Sequence, residues 1–382
     1  MKQQIRIPYN KPHLAGRELT YIRQAHEFRQ LAGDGFFTKK CQEWMVNAFG
    51  CDMSLLTHSC TAALDMMAIL ANLKPGDEVI MPDYTFVSTA NSFVLQRGVP
   101  VFVDIRPDTL NINEQLIEKA ITPKTKAIVP VHYAGVGCDM DSIRALAKKY
   151  KLLVLEDAAQ GMLATYKGKN LGSIGDMGAM SFHETKNVIS GEGGALLINN
   201  PKFIERAQII REKGTNRTKF FQGLVDKYTW VDIGSSYLPG EITAAFLMAQ
   251  LEKAQEITKK RMVLWNRYHR EFSDLEKKGY ILRPIIPKDV QHNAHIYHIR
   301  TNNERERIGL ADFLRKKGIL AVTHYVPLHS SPAGKKFARY VGDMKVTNNV
   351  ADTLIRLPLF YDLTRNEQTD VLESVHDYYK RI

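Results

Sequence analysis

The sequence has no long apolar run and no paired cysteines. No segment of the 382-residue chain approaches the ~20 apolar residues of a membrane helix, and residues 1–8 lack the apolar core of a signal peptide. The four cysteines form no C-x-x-C pair and no metal-ligand spacing with histidine. These absences argue against a membrane protein, a disulfide scaffold and a metal centre. They predict a reduced, cytoplasmic protein.

Concentrated charge is also missing, although the chain is basic overall. The formal net charge is +11 and the isoelectric point is about 9.3, but lysines and arginines occur as scattered pairs. Without a basic stripe or zinc-finger spacing, nucleic-acid binding is not predicted. The excess of positive charge is explained either by lysines and arginines on solvent-exposed helix faces or by the attraction of an anionic ligand. The length and the absence of repeats suit a globular protein of two domains.

The first two-thirds of the chain alternate strand and helix signals. Apolar runs at 55–57, 78–81, 99–105, 127–131 and 152–155 predict strands, and the segments between them predict helices. Because these strands are uniformly apolar, we expect a mostly parallel sheet that is buried on both faces. The predicted fold class is α/β, with ligands at the carboxyl ends of the strands.

A smaller α+β domain is predicted from residue 241 onward. Residues 241–275 have apolar side chains at helical spacing. Strand signals follow at 294–299 and 321–326, with two or three helices before the end of the chain. We therefore predict a large domain over residues 1–240 and a small domain over 241–382, with the N-terminal segment a candidate for packing on the small domain.

One segment carries a candidate nucleophile. The run Ser-Phe-His-Glu-Thr-Lys at 181–186 precedes a glycine-rich turn at 191–194. A buried lysine is costly unless its pKa falls, and a neutral amine can form a Schiff base with an aldehyde. Lys186 is alternatively an exposed loop lysine. Ser181 could donate to a phosphate, whereas His183 is better explained as a packed histidine.

A strand-end acid is the second candidate group. Glu-Asp-Ala-Ala-Gln at 156–160 follows an apolar run, and a buried carboxylate there needs a protonated ring nitrogen, an arginine or a helix N-terminus as partner. The interval from Asp157 to Lys186 leaves room for one further strand, so both could reach the same end of a sheet. This lysine and acid are what a pyridoxal 5′-phosphate (PLP) site needs, and Gln160 could reach the ring hydroxyl.

Two other strand ends could hold the same cofactor. Ser-Cys-Thr-Ala-Ala at 59–63 joins a strand to a helix, which suits a phosphate, although a plain N-cap explains it too. Residues 82–86 follow the next strand, and their aromatic side chains could stack on a flat ring or fill the core.

With these motifs in place, the chain resembles the sugar aminotransferases of the DegT/DnrJ/EryC1/StrS family over nearly its whole length. Those enzymes adopt the aspartate-aminotransferase fold (fold type I). Within the family the chain is similar to the transaminases that make dTDP-4-amino-4,6-dideoxygalactose for surface polysaccharides such as O-antigen, lipopolysaccharide and enterobacterial common antigen. The segments that carry the family resemblance are 59–64, 75–80, 85–89, 131–133, 156–160 and 181–186, and those that carry the closer likeness are 213–217, 228–230 and 324–329.

The resemblance implies a role for each residue around the cofactor ring. Lys186 would hold PLP covalently and then move protons. Asp157 would pair with the pyridine nitrogen, Gln160 would lie beside the ring hydroxyl, and Phe86 would stack on the ring.

The resemblance also implies a phosphate site that two subunits share. The backbone of Thr61 and Ala62 and the hydroxyl of Ser181 would bind the phosphate within one subunit. Many relatives carry Asn-Tyr-Arg where this chain has Ser-Tyr-Leu at 236–238, and their asparagine reaches the partner's phosphate. Ser236 is shorter but could still donate, so a homodimer is expected.

The expected reaction is a transamination between L-glutamate and a sugar nucleotide. The implied acceptor is dTDP-4-keto-6-deoxy-D-glucose and the implied product is dTDP-4-amino-4,6-dideoxy-D-galactose. The gluco epimer and another keto-sugar nucleotide are the alternatives. Tyr325 and His329 are candidates for lining the sugar pocket, or else pack the small domain. A related dehydratase would carry histidine in place of Lys186, and a non-enzymatic regulator would have lost Lys186 or Asp157.

Overall fold

The computed structural model describes residues 4–221 and 223–381 of the chain. Its strands, in chain order, are β1 (Met53–Thr57), β2 (Glu78–Pro82), β3 (Val99–Val103), β4 (Thr125–Ile128), β5 (Leu153–Asp157), β6 (Thr165–Tyr166), β7 (Lys169–Asn170), β8 (Met177–Ser181), β9 (Gly194–Ile198), β10 (Ile281–Leu282), β11 (Val290–Gln291), β12 (Tyr297–Thr301), β13 (Arg339–Val341) and β14 (Leu354–Leu357).

Helices surround these strands. They are α1 (Glu18–Glu27), α2 (Phe36–Phe49), α3 (Cys60–Leu70), α4 (Val87–Leu95), α5 (Glu114–Ala120), α6 (Met140–Tyr150), α7 (Ile204–Arg211), α8 (Arg217–Phe221), α9 (Glu241–Glu252), α10 (Ala254–Glu271), α11 (Ser273–Lys277), α12 (Glu304–Lys316), α13 (Pro332–Phe337), α14 (Lys345–Thr353) and α15 (Arg365–Tyr379), with short 3₁₀ turns at Tyr133–Gly135 and Pro201–Phe203.

The largest sheet has eight strands in the order β1-β9-β8-β5-β4-β2-β3-β13. Neighbours from β8 to β13 run parallel, and β9 is antiparallel to both β8 and β1. Along β2, Val79 and Met81 pack in one apolar cluster with α3, while Ile80 packs in another with α5 and α6. Since successive strand residues point to opposite faces, both faces are covered. The predicted α/β fold with a mostly parallel sheet is confirmed.

A second apolar core is built mainly from residues 264–379 around the antiparallel sheet β10-β12-β14. The N-terminal residue Ile7 is fully buried in this core, and its backbone bonds to Gly318 and Leu320. Helix α9, by contrast, packs in the cluster that contains Ala25 of α1 and Phe37 of α2. The division of the chain after residue 240 stays a prediction.

The strand predicted at 321–326 is wrong. Only Val322 pairs, through a single bridge to Arg356 of β14. The next carbonyl, that of Thr323, accepts from the Arg356 guanidinium instead of a neighbouring strand. His324 and Tyr325 then bond to the side chains of Tyr133 and Gln160 instead of pairing with a strand.

A buried carboxylate holds the loop that precedes α2. Glu241, at the start of α9, is 1% exposed and accepts from the N–H groups of Gly35 (3.1 Å), Phe37 (2.7 Å) and Thr38 (3.1 Å), and from the Thr38 hydroxyl. It thereby satisfies first-turn amides of α2, which have no partner within the helix. A β-carbon at Gly35 would lie 2.5 Å from the Glu241 carboxyl carbon, so the close approach requires glycine.

We predict that Glu241→Gln lowers the free energy of unfolding by roughly 1–3 kcal/mol, because the amide NH₂ would face buried donors. Urea denaturation at one fixed protein concentration measures the effect. The matched control is Glu252→Gln at the partly exposed end of the same helix, for which a much smaller change is expected. Equal losses in the two variants would contradict the role given to Glu241.

Candidate active site

The predicted residues converge because neighbouring strands end at the same edge of the sheet. Asp157 ends β5 and Ser181 ends β8, and these strands are parallel neighbours. Gly194, at the start of β9, pairs with Ser181 on one side and with Thr57 of β1 on the other. The acid, the hydroxyl and the β1–α3 turn therefore lie at one edge, as the sequence predicts.

The carboxylate of Asp157 is buried among neutral donors. Its Oδ2 accepts from the hydroxyl of Thr89 at 2.7 Å and its Oδ1 from the N–H of Ala159 at 3.1 Å. Because the Thr89 hydroxyl donates to Asp157, Thr85 is the donor in its 2.9 Å bond to Thr89. No lysine or arginine of the described chain makes a salt bridge with Asp157, which leaves acceptor capacity for a cationic N–H group.

The residue before Asp157 is also a buried acid. Glu156 Oε1 accepts from the N–H groups of Ile174 (2.7 Å) and Gly175 (2.6 Å), and Oε2 accepts from that of Gly172 (2.8 Å). The Nε2 of His132 lies 2.8 Å from Oε2. The N–H of Cys138 donates to His132 Nδ1 at 3.2 Å, so Nε2 carries the hydrogen and donates to Glu156. Glu156 thus anchors the end of β5.

Lys186 lies in a tight turn that follows β8. Two backbone hydrogen bonds close this turn: the N–H of Lys186 donates to the carbonyl of His183, and the N–H of Glu184 donates to the carbonyl of Gly191. Burial lowers the pKa of the amine from its ordinary value of 10.5, while nearby Cys60 and Asp157 act in the opposite direction. Within the described residues its Nζ has no hydrogen-bond partner. A partly buried amine of lowered pKa, near a buried carboxylate, suits covalent attachment to an aldehyde.

The turn between β1 and α3 has two free amides. Ser59 caps α3, since its Oγ accepts from the N–H of Ala62 at 3.0 Å, and the hydroxyl of Thr61 bonds to Ser88 at 2.9 Å. The N–H groups of Cys60 and Thr61 have no acceptor among the described residues. The N-cap interpretation therefore holds for Ser59, and the helix N-terminus keeps donors for an anion.

Gln160 is fixed by both ends of its amide. Its Oε1 accepts from the N–H of Ala134 at 2.7 Å and its Nε2 donates to the Tyr325 hydroxyl at 2.9 Å. The neighbouring Tyr133 hydroxyl lies 2.7 Å from Nδ1 of His324. These bonds bring residues 324 and 325 close to the end of β5.

The remaining predicted site residues differ in their solvent exposure and in their hydrogen-bond partners. Phe86 is 55% exposed, with its ring centre 6.3 Å from that of Tyr325. His329 bonds to Asp83 through its N–H (2.7 Å) and through Nδ1 (2.6 Å), so its side chain is held at the end of β2. Ser181 Oγ has one long contact of 3.4 Å, from the N–H of His183. Ser236 is exposed and its chain neighbour Tyr237 accepts from the N–H of His58.

Taken together, these groups fit PLP. The amine of Lys186 suits its aldehyde, the Asp157 carboxylate suits its ring nitrogen, and the free amides at the start of α3 suit its phosphate.

Among the described residues, no cluster of three or more His, Cys, Asp and Glu side chains could hold a metal ion, and no helix is long and apolar enough to cross a membrane. Fold and site thus define a fold type I, PLP-dependent aminotransferase.

The comparison with known proteins gives the family. The model of the DegT/DnrJ/EryC1/StrS aminotransferase family matches residues 12–376, so the chain belongs to this family. It is a PLP-dependent sugar aminotransferase, and similar proteins have been solved in a PLP form and in a PMP (pyridoxamine phosphate) form. The expectations for family, cofactor and enzyme class are confirmed.

Two sequence relatives cover most of the chain. The uncharacterised protein MJ1066 of Methanocaldococcus jannaschii is 38% identical over 345 residues, which cover 88% of this chain and 89% of the relative. The spore coat polysaccharide biosynthesis protein SpsC of Bacillus subtilis is 30% identical over 385 residues, covering 98% of this chain and 97% of the relative.

Two solved structures show the same fold. Helicobacter pylori PseC, an aminotransferase involved in the biosynthesis of pseudoaminic acid, superposes with a TM-score of 0.90 at 27% identity and covers 98% of this chain and 100% of its own. DesV of S. venezuelae, solved in complex with a ketimine intermediate, has a TM-score of 0.88 at 28% identity, with 99% of each chain covered.

Sequence reasoning missed several residues that shape this site. Thr89, which donates to Asp157, and His132, which binds Glu156, lie in the segments 85–89 and 131–133 that carry the family resemblance, but neither is predicted from the sequence to be a site residue. Cys60 is not predicted either, although its thiol is close enough to Lys186 to affect the pKa of the amine. Arg356 could have been identified from the sequence, because it is the single charged residue in the otherwise apolar run Leu354–Leu357.

We predict that PLP is attached to Lys186. After incubation with PLP and borohydride reduction, mass spectrometry of the wild-type digest should find the adduct on the peptide containing Lys186. The rate of attachment should rise with pH and reach half its maximum below pH 10.5, because burial lowers the pKa of the amine that must be neutral to react. Lys186→Ala should carry no adduct, whereas the control Lys345→Ala, an exposed lysine, should behave as wild type. Stoichiometric labelling of Lys186→Ala at another lysine would overturn the assignment.

Proposed function

We propose that the protein transfers the amino group of L-glutamate to C4 of dTDP-4-keto-6-deoxy-D-glucose and releases dTDP-4-amino-4,6-dideoxy-D-galactose. The reaction would take place in the cytoplasm and supply a surface polysaccharide such as O-antigen, lipopolysaccharide or enterobacterial common antigen. The observation that carries the transaminase chemistry is the meeting of a lysine of lowered pKa with a buried carboxylate. The resemblance of segments 213–217 and 324–329 supports the particular sugar.

Two properties of the chain and its relatives support a sugar-nucleotide substrate. The net charge of +11 suits a ligand that carries a diphosphate. One relative is named for spore coat polysaccharide synthesis and another for pseudoaminic acid synthesis. A dehydratase on this scaffold is disfavoured because Lys186 is not replaced by histidine. A non-enzymatic regulator is disfavoured because Lys186 and Asp157 are both kept.

The proposed chemistry is divided among three side chains. Bound PLP supplies an electron sink, which requires a protonated ring nitrogen. Asp157 keeps that nitrogen protonated, with Thr89 and Ala159 holding the carboxylate in place. Lys186 moves the proton, because its lowered pKa leaves more of the amine neutral, and so able to accept a proton, than in a free lysine, and makes the protonated amine a better acid. Gln160 is held by Ala134 and Tyr325 in position to face the ring hydroxyl.

The remaining contacts with the cofactor are proposed at the strand ends. Phe86 stacks on the ring, and the Ser181 hydroxyl, which has only one long contact within the chain, donates to the phosphate. Of the two backbone groups proposed at the start of α3, Thr61 has a free N–H. The N–H of Ala62 is already donated to Ser59, so the neighbouring amide of Cys60 is the better second donor.

We further propose a homodimer with active sites at its interface. The loop at 33–36 is tied to the segment 234–239, since a β-carbon at Gly33 would collide with Leu238 and Pro239, and Asp34 bonds to Arg211 at 2.7 Å. Large apolar side chains are exposed in and beside these two segments, and a second subunit would cover them. They are Phe28, Leu31, Phe36, Phe221, Leu224, Tyr228, Trp230, Val231 and Ile233.

The dimer is tested by light scattering and by PLP affinity. We expect a dimer at assay concentration, and we expect Ser236→Ala to weaken PLP binding by at most roughly 1.5–3 kcal/mol, the contribution of one hydrogen bond to a charged group. The matched control is Ser235→Ala, whose backbone bonds are kept and whose PLP affinity should not change. A fully active monomer would refute the shared site.

The sugar pocket is proposed to include Tyr325 and His329. Tyr325 lies between Gln160 and Phe86, at the mouth of the cofactor site. The bond from His329 to Asp83 fixes its ring beside the end of β2, from where its free edge can contact a sugar hydroxyl.

Product stereochemistry tests the choice of substrate. We predict that proton NMR of the product made from dTDP-4-keto-6-deoxy-D-glucose and L-glutamate shows a small coupling between H3 and H4 of the sugar, because an axial amine defines the galacto epimer. A large coupling would identify the gluco epimer. A panel of other keto-sugar nucleotides serves as the control, and faster turnover of one of them would replace the proposed acceptor.

A further inference from the structure

The side chain of Asn187, the residue after Lys186, is buried and held at both ends of its amide. Its Nδ2 donates to the backbone carbonyl of Asn293 at 2.8 Å, and its Oδ1 lies 3.1 Å from Nδ1 of His295. Because Nδ2 is the donor, Oδ1 is the acceptor, and the hydrogen of the His295 ring is therefore on Nδ1. The amide of Asn187 ties the loop of Lys186 to the segment 293–295.

The bond from His295 does not depend on a protonated ring. Burial first, and then the charge of Lys186, lowers the pKa of His295 well below its ordinary value of 6.5. The ring is consequently neutral near neutral pH, with one N–H group, and that group is the one given to Asn187.

The segment 293–295 is in turn anchored to the loop that follows β5. Asn293 is fully buried, and its Nδ2 donates to the carbonyls of Gln160 and Met162, both at 2.8 Å. A β-carbon at Gly135 would collide with Oδ1 of Asn293, so the close packing around this amide requires glycine. The two asparagine amides thereby join the loop of Lys186 to the loop of Gln160.

The backbone between Asn293 and His295 is strained. Ala294 has a φ of +52°, which is unfavourable for a residue with a β-carbon. The buried Arg261 donates from Nε to the carbonyl of Ala294 at 3.1 Å and from Nη2 to that of His295 at 2.6 Å. Strained backbone persists only where its surroundings hold it, and it is concentrated at functional sites. In this conformation the Asn293 carbonyl and the His295 ring both reach the amide of Asn187.

We propose that Asn187 is a positioning residue for Lys186, an inference that rests on the proposed function. While the lysine amine is bonded to PLP, that bond fixes its position. When the amine of a substrate takes its place, the lysine is free and must still move a proton, and only the protein then holds it. A displacement of about 1 Å at a reacting group can lower a rate by a factor of about 100, so a clamp on the next residue keeps the free amine effective.

The first test uses the apoenzyme and no substrate. After incubation with PLP and borohydride reduction, Asn187→Ala should still carry one adduct on Lys186, but attachment should be roughly 10-fold slower, as expected for the loss of two ordinary hydrogen bonds. The pH of half-maximal attachment rate should rise toward 10.5, because a looser loop admits water and weakens the burial that lowers the pKa of the amine.

The second test measures turnover. Asn187→Ala should lower kcat roughly 10- to 100-fold and leave the KM values for glutamate and for the sugar nucleotide close to those of wild type. With glutamate deuterated at Cα, the isotope effect on kcat should be larger in the variant, because proton transfer becomes slower relative to the other steps. Partial unfolding alone would reduce the amount of active enzyme without changing the isotope effect.

Variants of His295 provide an independent arm if Asn187→Ala does not fold. His295→Asn keeps an N–H donor at the position of Nδ1 and should approach wild type in both tests. His295→Leu removes the donor and should resemble Asn187→Ala.

The matched control is Gln368→Ala, which removes another buried amide held at both ends. Its Nε2 donates to the carbonyl of Leu264 at 2.7 Å, and its Oε1 accepts from Arg267 at 3.3 Å. This variant should lower the melting temperature but leave the pH of half-maximal attachment and the isotope effect as in wild type.

The possible outcomes separate this inference from the proposed function. An unchanged half-maximal pH and an unchanged isotope effect in Asn187→Ala and His295→Leu would overturn the inference alone. Raised KM values with an unchanged kcat would assign the clamp to substrate binding and overturn it as well. A wild-type enzyme that forms no adduct at Lys186 would overturn the role of Lys186 in the proposed function, and the inference with it.

Discussion

The buried carboxylate of Glu156 is the constraint on which the candidate site depends. A charge with no solvent exposure is costly unless its oxygens are bonded, and Glu156 receives three backbone N–H groups of the turn at 172–175 and the His132 ring. Because adjacent strand residues point to opposite faces, fixing Glu156 also fixes the direction in which Asp157 projects. The end of β5 thereby becomes a rigid part of the candidate site.

Hydrogen bonds connect the ends of strands in the large sheet to the segment that leads into the second apolar core. Gln160 bonds to Tyr325 and Asp83 bonds to His329, so two strand ends each hold one residue of the segment 325–329. The N-terminal segment adds a third connection through Asn10 to the loop of Lys186. The candidate site is consequently surrounded by residues that are far apart in sequence.

The sequence predicted those features that depend on short stretches of neighbouring residues. Uniformly apolar runs identified the parallel strands, since only strands covered on both faces tolerate them. The Asp157 and Lys186 segments indicated a PLP site because few other sites combine a strand-end acid with a lysine before a glycine turn. The prediction at 321–326 failed because its strand-like pattern is local, whereas the bond from Arg356 to Thr323 that ends the pairing comes from a remote strand.

The sequence by itself determined the fold class and the family, and it predicted which residues would hold the cofactor, because these inferences depend on periodicity and on short motifs. Tertiary structure alone decided how each group is paired: Thr89 with Asp157, His132 with Glu156, and Tyr9 with Arg356. Hydrogen bonds and pKa shifts depend on distances of a few ångströms and on burial. Those quantities are set when distant segments pack together, so no local pattern encodes them.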